Sequence, residues 1–172
     1  MHVLFVCTGN ICRSPTAERL AAAHASAQKI SGFTASSAGT RAVIGHPIHA
    51  SAADALESLG GDSSNFAATQ LTSKVATAAD LILTMTRDHR DAVLELAPNK
   101  LHRTYTLAEI STLASRFHAR NLADLANLRP QLIPGEVPDI VDPIGQNSSI
   151  FEAIGHHIAD LLPPVLELCR PE

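Results

Sequence analysis

The first fifteen residues constrain the fold more than any other part of the chain. Residues 3–6 are apolar without alternation, as expected for a strand that is covered on both faces of a sheet. Ser14 and Pro15 form a typical helix start, with Ser as N-cap and Pro at the first helical position. The pattern therefore predicts a strand, a loop over residues 7–13 and a helix to about Gln28, which is how a βαβ fold begins.

The rest of the chain repeats this alternation of short apolar segments and helical patterns. Three more strands are predicted at residues 33–37, 81–85 and 101–105. Helices are predicted at residues 48–59, 71–79, 87–97 and 106–119, and a short helix lies within residues 121–138. A last helix is expected to begin at a Ser149–Glu152 capping box, and Pro163-Pro164 should kink or break it.

Size and composition narrow the class of protein. The 172 residues suit one domain, residues 1–172, and 45% apolar with 17% charged residues is an ordinary globular composition. A net charge of −4 without a basic run argues against non-specific nucleic-acid binding. No segment approaches the ~20 apolar residues that cross a bilayer, and no signal peptide is visible. We therefore expect a cytoplasmic protein that binds neither nucleic acid nor membrane.

The cysteines and histidines do not form a metal site or a disulfide framework. Three cysteines are too few for such a framework, and cytosolic thiols are normally reduced. The nine histidines show no metal-ligand spacing, and adjacent His156 and His157 are expected at the surface. No metal and no cofactor are predicted.

The loop after the first strand has the properties of an oxyanion site. Backbone N–H groups between a strand and a helix start converge on a concavity, and the helix dipole favours an anion there. Gly9 and Asn10 are the loop residues best able to adopt left-handed backbone angles. The nucleotide P-loop pattern is absent, so a phosphate group of another kind is the expected ligand.

Three side chains of this loop are suited to phosphoryl transfer. Cys7 lies in the positive field of the loop, which stabilises a thiolate and makes Cys7 the candidate nucleophile. Arg13 has a planar fork that can hold two phosphoryl oxygens, and Ser14 can donate to the sulfur, cap the helix, or do both. Cys12 is open to two interpretations, a functional thiol or a small buried apolar residue.

A distant segment supplies the candidate general acid. Transfer of phosphate to sulfur expels an alkoxide or phenoxide, which needs a proton. Asp142, in the turn-forming Asp142-Pro143 pair, is the preferred donor, and Asp139 is the rival three residues earlier.

These residues resemble the low-molecular-weight protein tyrosine phosphatases, whose signature is C-x5-R-S near the N-terminus and Asp-Pro near the C-terminus. The resemblance extends to residues 36–39 and 79–85. It implies a single-domain α/β fold with a four-stranded parallel sheet in the order 2-1-3-4 and helices on both faces. The loop would then lie at the topological switch point.

The resemblance also implies roles for the site residues. Cys7, Arg13 and Asp142 would be catalytic, and Ser37 would support Asn10, the loop organiser. Cys12 would be able to form a reversible disulfide with Cys7. The phosphate-binding loop would comprise Thr8, Gly9, Asn10, Ile11, Cys12 and Ser14. The expected reaction is hydrolysis of protein phosphotyrosine and small aryl phosphates through a phosphocysteine.

This chain departs from the family pattern in ways that keep alternatives open. Ile144 follows Asp-Pro where an aromatic residue is common, residues 40–44 contain no aromatic residue, and residues 121–138 are longer than usual. An arginine phosphatase would carry Thr where Ile11 stands. An arsenate reductase with a three-cysteine relay would need cysteines within residues 80–95, which contain none. A non-catalytic phosphate-binding module would be expected to lose the nucleophile or the acid.

Overall fold

The protein is built on one parallel sheet, and the computed structural model describes residues 1–171. The strands are β1 (His2–Cys7), β2 (Thr34–Gly39), β3 (Leu81–Thr84) and β4 (Thr104–Thr106). All pair in parallel in the order β2-β1-β3-β4, which confirms the predicted topology. The loop after β1 therefore lies between the elements that follow β2 and β3, at the carboxyl edge where open α/β sheets bind ligands.

The helices cover both faces of the sheet, as predicted. They are α1 (Arg13–Ala27), α2 (Ala50–Ser58), α3 (Ser73–Ala78), α4 (Arg87–Leu96), α5 (Leu107–Ser115), α6 (Leu122–Leu128) and α7 (Ser148–Leu168). Short 3₁₀ helices occupy Pro98–Arg103 and Arg129–Gln131.

The side chains of β1 alternate between two buried cores. Val3 and Phe5 belong to the core beneath α1, α2, α5 and α7, whereas Leu4 and Val6 belong to a smaller core with α3 and α4. Because both faces are covered, the strand needs apolar residues at every position. This is the physical reason for the uninterrupted apolar run at the start of the sequence.

The fourth strand is displaced from its predicted position at residues 101–105. Pro98 begins a 3₁₀ helix that occupies most of that range, and Leu101 is half exposed rather than buried in a sheet. The strand forms only at Thr104–Thr106, where it pairs with β3. A Thr106–Glu109 capping box follows directly and begins α5, and the Thr86 side chain caps α4.

The start and course of α7 also differ from the prediction. Asn147, not Ser149, caps the helix by accepting from the Ile150 N–H, so the predicted Ser149–Glu152 box is wrong. The helix continues through Pro163-Pro164 to Leu168 rather than breaking. Pro163 lies on the solvent side, while buried apolar residues before and after the pair hold the helix against the core: Leu162, Val165, Leu166 and Leu168. Packing thus outweighs the lost backbone bonds.

Candidate active site

The loop after β1 directs its carbonyl groups outward. The carbonyl oxygens of Cys7, Thr8 and Gly9 accept from backbone N–H groups of residues 40–43 at 2.9–3.0 Å. The N–H groups of residues 8–12 donate to no backbone carbonyl within residues 1–171. The loop therefore presents a set of free donors beside the start of α1, which is the arrangement that binds a tetrahedral oxyanion.

Two residues allow the loop to adopt this path. Asn10 has φ +55°, in the left-handed region, as predicted, whereas Gly9 is not among the residues with positive φ. A Cβ atom on Gly39 would lie 2.4 Å from the Thr8 carbonyl oxygen. Gly39 is thus required because the loop passes directly over the end of β2.

A chain of hydrogen bonds lies behind the loop. The Asn10 side-chain amide donates to Ser14 Oγ at 2.9 Å and to Ser37 Oγ at 2.8 Å, and its oxygen accepts from the Thr69 N–H at 2.8 Å. Ser37 in turn donates to Glu18. The structure therefore joins Asn10 to Ser37, the contact that the resemblance implies, and adds Glu18 to it.

The hydrogen bond from Asn10 leaves the Ser14 hydroxyl hydrogen available to the sulfur. Ser14 Oγ accepts from Asn10, so its own hydrogen is available for Cys7 Sγ, 2.9 Å away. A hydroxyl donor to sulfur stabilises the thiolate over the thiol. Ser14 is not the helix cap: α1 begins at Arg13, and Cys12 occupies the cap position without a side-chain hydrogen bond. Of the two predicted roles of Ser14, the structure shows the contact with sulfur.

The Arg13 guanidinium is buried and anchored on one side. Its Nη1 donates to the Ile140 carbonyl at 2.9 Å, and the residue is only 4% exposed. Its Nη2 lies 3.1 Å from an Asp142 carboxylate oxygen, and its buried Nε has no hydrogen-bond partner within residues 1–171. The anchored Nη1 leaves the edge formed by Nε and Nη2 for an oxyanion, which is the bidentate geometry expected of Arg.

The loop that carries the acid places Asp142, not Asp139, beside Arg13. The Asp142 side chain is half exposed and accepts from the Ile144 N–H at 3.2 Å, as an Asp-Pro turn favours. Asp139 instead accepts from the Arg87 N–H at 3.0 Å, at the start of α4. Only Asp142 of the two acids lines the cavity above Cys7.

Cys12 is a buried thiol that faces the same cavity as Cys7. Burial, followed by the charge of Cys7, raises the pKa of Cys12 to about 12. Cys12 therefore stays protonated at neutral pH while Cys7 is a thiolate, and it does not compete with Cys7 for attack on phosphorus. Cys169, the third cysteine, is buried beside Met1 at the opposite end of β1, so it is not placed for a relay with Cys7.

A cavity of about 310 Å³ opens above the sulfur. Its walls present more apolar than polar surface, and Ile44, which is 69% exposed, does not line it. The residues that line it are Cys7, Thr8, Gly9, Ile11, Cys12, Arg13, Arg41, Val43, Asp142 and Ile144. Asn10, Ser14 and Ser37 lie behind the loop rather than in the cavity.

Sequence reasoning missed three residues around this site. Glu18 supports Ser37, buried His89 contacts Thr8, and Arg41 lines the cavity mouth. None belongs to a recognisable motif, and His89 lies 81 residues from its partner. Only the β1–β3 pairing, which was predictable, could have indicated that the start of α4 lies near the loop.

Two further observations concern metals and membranes. Residues 1–171 contain no group of three or more His, Cys, Asp or Glu side chains that could hold a metal ion. In the same part of the chain, no helix combines the length and apolar character needed to span a bilayer.

A thiol and an arginine on an oxyanion loop, at the switch point of a parallel sheet and opposite a carboxylic acid, define the class of cysteine-dependent phosphatases. The chain belongs to the low molecular weight phosphotyrosine protein phosphatase family, whose model matches residues 2–127. This membership confirms the resemblance inferred from the sequence motifs.

Relatives similar in sequence have the same family name. The low molecular weight protein-tyrosine-phosphatase Etp of Escherichia coli (strain K12) is 38% identical over 102 residues, which are 59% of this chain and 66% of Etp. Wzb of Salmonella typhi is 38% identical over 97 residues, 56% of this chain and 61% of Wzb. These alignments thus span less than two thirds of either relative.

Solved structures extend the similarity over nearly the whole chain. The low molecular weight protein tyrosine phosphatase from T. tengcongensis is 28% identical, with a TM-score of 0.79 over 97% of this chain and 98% of that one. The arginine phosphatase YwlE from Geobacillus stearothermophilus is 27% identical, with a TM-score of 0.74 over 96% and 90%. Vibrio vulnificus Wzb in complex with benzylphosphonate is 27% identical, with a TM-score of 0.72 over 94% and 93%.

Proposed function

We propose that this chain hydrolyses phosphotyrosine in proteins, and small aryl phosphates, through a phosphocysteine at Cys7. The observation that carries the proposal is the ring of free N–H groups of residues 8–12 together with the edge of Arg13 formed by Nε, which has no partner within residues 1–171, and Nη2, which contacts Asp142. These donors fit the oxygens of a phosphoryl group in a trigonal-bipyramidal transition state. We also propose that residues 1–172 act as one cytoplasmic domain that needs no metal or cofactor.

The first chemical step transfers the phosphoryl group to sulfur. The Cys7 thiolate attacks phosphorus, so a P–S bond forms while the P–O ester bond breaks. The departing phenoxide takes the proton of the Asp142 carboxylic acid and leaves as a phenol. The Ser14 hydroxyl supports the thiolate before the attack, and Arg13 holds two oxygens throughout.

The second step returns the enzyme to its starting state. Asp142, now a carboxylate, takes a proton from a water molecule as the water oxygen attacks phosphorus. The P–S bond breaks, inorganic phosphate leaves, and the Cys7 thiolate is restored. Protons balance over the cycle because Asp142 gives one to the phenol and regains one from water.

The Arg13–Asp142 pair suggests how substrate prepares the acid. Asp142 accepts from the same edge of Arg13 that the phosphoryl oxygens would use. A bound phosphate dianion competes for that edge and brings negative charge close to Asp142. Substrate binding would therefore release Asp142 from Arg13 and leave its carboxyl group beside the departing oxygen.

The cavity walls favour an aromatic ester. Ile11, Val43 and Ile144 stand above the sulfur and can bury ring area at about 25 cal/mol per Å². A serine ester is too short to bring its phosphorus to the floor of the loop. Aliphatic side chains cannot make the ring–ring contacts that add ~0.5–1.5 kcal/mol of binding energy. We therefore expect phosphotyrosine activity with a weak KM.

Phosphoarginine is the second candidate substrate, because the arginine phosphatase YwlE is among the similar structures. Ile11 of this chain lines the cavity where the resemblance places Thr in that branch, and its bulk suits an aryl group better. The other two alternatives fit this chain less well. An arsenate relay would need a third cysteine near Cys7, but Cys169 lies at the far end of β1. A binding module would be expected to lose the nucleophile or the acid, but Cys7 and Asp142 are both kept.

A comparison of peptide substrates tests the proposed specificity. We expect kcat/KM for a phosphotyrosine peptide to exceed that for matched phosphoserine and phosphoarginine peptides, with and without a chelator. Installing a ring by Ile144→Tyr should lower KM for aryl esters by up to roughly tenfold, since ring–ring contacts add ~0.5–1.5 kcal/mol. A clear preference for phosphoarginine would assign the protein to the other branch.

Oxidation of the loop cysteines gives a further expected result. Peroxide should convert the Cys7 thiolate to a sulfenic acid, which Cys12 then attacks with loss of water to form a disulfide. We expect inactivation by peroxide, recovery with a thiol reductant, and poorer recovery in Cys12→Ser because the sulfenic acid oxidises further. Mass spectrometry that finds no Cys7–Cys12 link in the inactivated protein would refute this.

A further inference from the structure

A buried histidine contacts the loop immediately beside the nucleophile. His89, the third residue of α4, is 6% exposed, and its Nε2 lies 2.8 Å from Thr8 Oγ1. Thr8 follows Cys7 in the chain and lines the cavity above the sulfur. The contact joins the end of β1 to the start of α4 across the switch point of the sheet.

The His89 ring is neutral. Burial, and then the positive charge of Arg13, lowers the pKa of His89 to about 4, against weaker opposing effects of Asp142, Asp88 and Asp139. A neutral imidazole carries one hydrogen, so only one of its nitrogens can donate.

The surroundings of the ring determine which nitrogen carries the hydrogen. His89 Nδ1 is buried and has no hydrogen-bond partner within residues 1–171. A hydrogen on that atom would be an orphaned buried donor, which is rarer and more costly than an acceptor without a partner. The network therefore assigns the hydrogen to Nε2, which donates to Thr8 Oγ1.

The Thr8 hydroxyl hydrogen is then free. Its oxygen accepts from His89 and has no other partner in the part of the chain that the structure describes. A hydroxyl that already accepts a hydrogen bond is polarised into a better donor. The acceptors that will enter the cavity beside it are the oxygens of a bound phosphate group.

We propose that Thr8 contacts the substrate, its hydroxyl donating to a non-bridging phosphoryl oxygen, and that His89 is the positioning residue that holds this donor in place. The inference rests on the proposed phosphatase function and adds a side-chain donor to those of Arg13 and the loop backbone. The Thr8 hydroxyl would favour ligands whose oxygens are charged hydrogen-bond acceptors. It also makes residue 8 a determinant of affinity for the phosphoryl group itself.

Binding of benzylphosphonate tests the Thr8 contact without turnover. Its phosphonate has the non-bridging oxygens of a phosphate ester, and a methylene group replaces the bridging oxygen. Thr8→Val keeps the side-chain shape and removes the hydroxyl, so we expect about 10-fold weaker binding by calorimetry, as for one hydrogen bond to a charged group. Thr8→Ser keeps the hydroxyl and should bind within about 3-fold of wild type.

Two His89 variants test the positioning role. His89→Gln places an amide donor where Nε2 stands and should bind like wild type, whereas His89→Met fills the space without a donor and should weaken binding by about 3- to 10-fold. In the Thr8→Val background, His89→Met should cost nothing more, because its effect passes through Thr8. Thermal unfolding confirms that each variant is folded.

The results separate this inference from the proposed function. Wild-type affinity in Thr8→Val, additive losses in the double variant, or equal losses in His89→Gln and His89→Met would each overturn the inference and leave the phosphatase proposal intact. A wild-type chain that neither binds benzylphosphonate nor hydrolyses an aryl phosphate would overturn both.

Discussion

Cys7→Ser should abolish hydrolysis of aryl phosphates while leaving the oxyanion site intact. A serine hydroxyl holds its proton far more tightly than a thiol, and no general base stands beside residue 7 to remove it. Within residues 1–171, the one side chain hydrogen-bonded to Cys7 Sγ is the Ser14 hydroxyl, which is not a general base. We therefore expect no measurable turnover in a continuous phenolate assay, together with retained binding of benzylphosphonate.

Cys169→Ser is the matched control for this variant. It makes the same atom exchange in a buried cysteine at the opposite end of β1, outside the cavity. We expect its activity per folded molecule to equal that of wild type. Hydrolysis that survives in Cys7→Ser, or that stops in wild type when a chelator is added, would contradict the phosphocysteine route.

The part of the site that could be predicted is the part that is contiguous in sequence. Residues 7–14 combine a strand end, a loop and a helix start, so their backbone geometry follows from local rules. The sheet order came from the family resemblance, and it brings Asp142 to Arg13 across more than a hundred residues.

The supporting contacts could not be predicted because both partners depend on tertiary structure. In the sequence, Glu18 is one polar residue of α1 and His89 is one of nine histidines. Their partners are evident only once β2 places Ser37 beside Glu18 and the pairing of β3 with β1 places His89 beside Thr8. For Ser14, the sequence suggested a local role as well as the tertiary contact that the structure shows. Its sequence position fits a helix cap, but the network of Asn10 uses its hydroxyl for the sulfur.

Two of the structural expectations that were wrong, the break in α7 and the position of β4, have different physical causes. Pro163-Pro164 is a helix-breaking pair, yet the apolar side chains around it are buried against the core and α7 continues. Residues 101–105 have strand-forming character, yet Pro98 begins a 3₁₀ helix that delays β4 to Thr104. Neither difference touches the edge of the sheet that carries the site.

Asp142→Asn should slow the reaction by roughly 10²- to 10⁴-fold, the range for loss of a general acid. The amide keeps the shape of the side chain but cannot protonate the departing oxygen. The loss should be largest for esters of weakly acidic alcohols and phenols, whose leaving groups most need the proton. A series of aryl phosphates with leaving groups of graded acidity measures this as a steeper dependence of kcat/KM on leaving-group pKa.

Asp139→Asn distinguishes the chemical role of Asp142 from a general effect of removing a carboxylate. Asp139 lies three residues away and bonds to the Arg87 N–H, outside the cavity. Its loss should lower stability by about 0.3–1 kcal/mol, because an anion at the start of α4 is removed, and should leave the leaving-group dependence unchanged. If instead Asp139→Asn steepened that dependence and Asp142→Asn did not, the general acid would be Asp139, and the Arg13–Asp142 pair would have only a structural role.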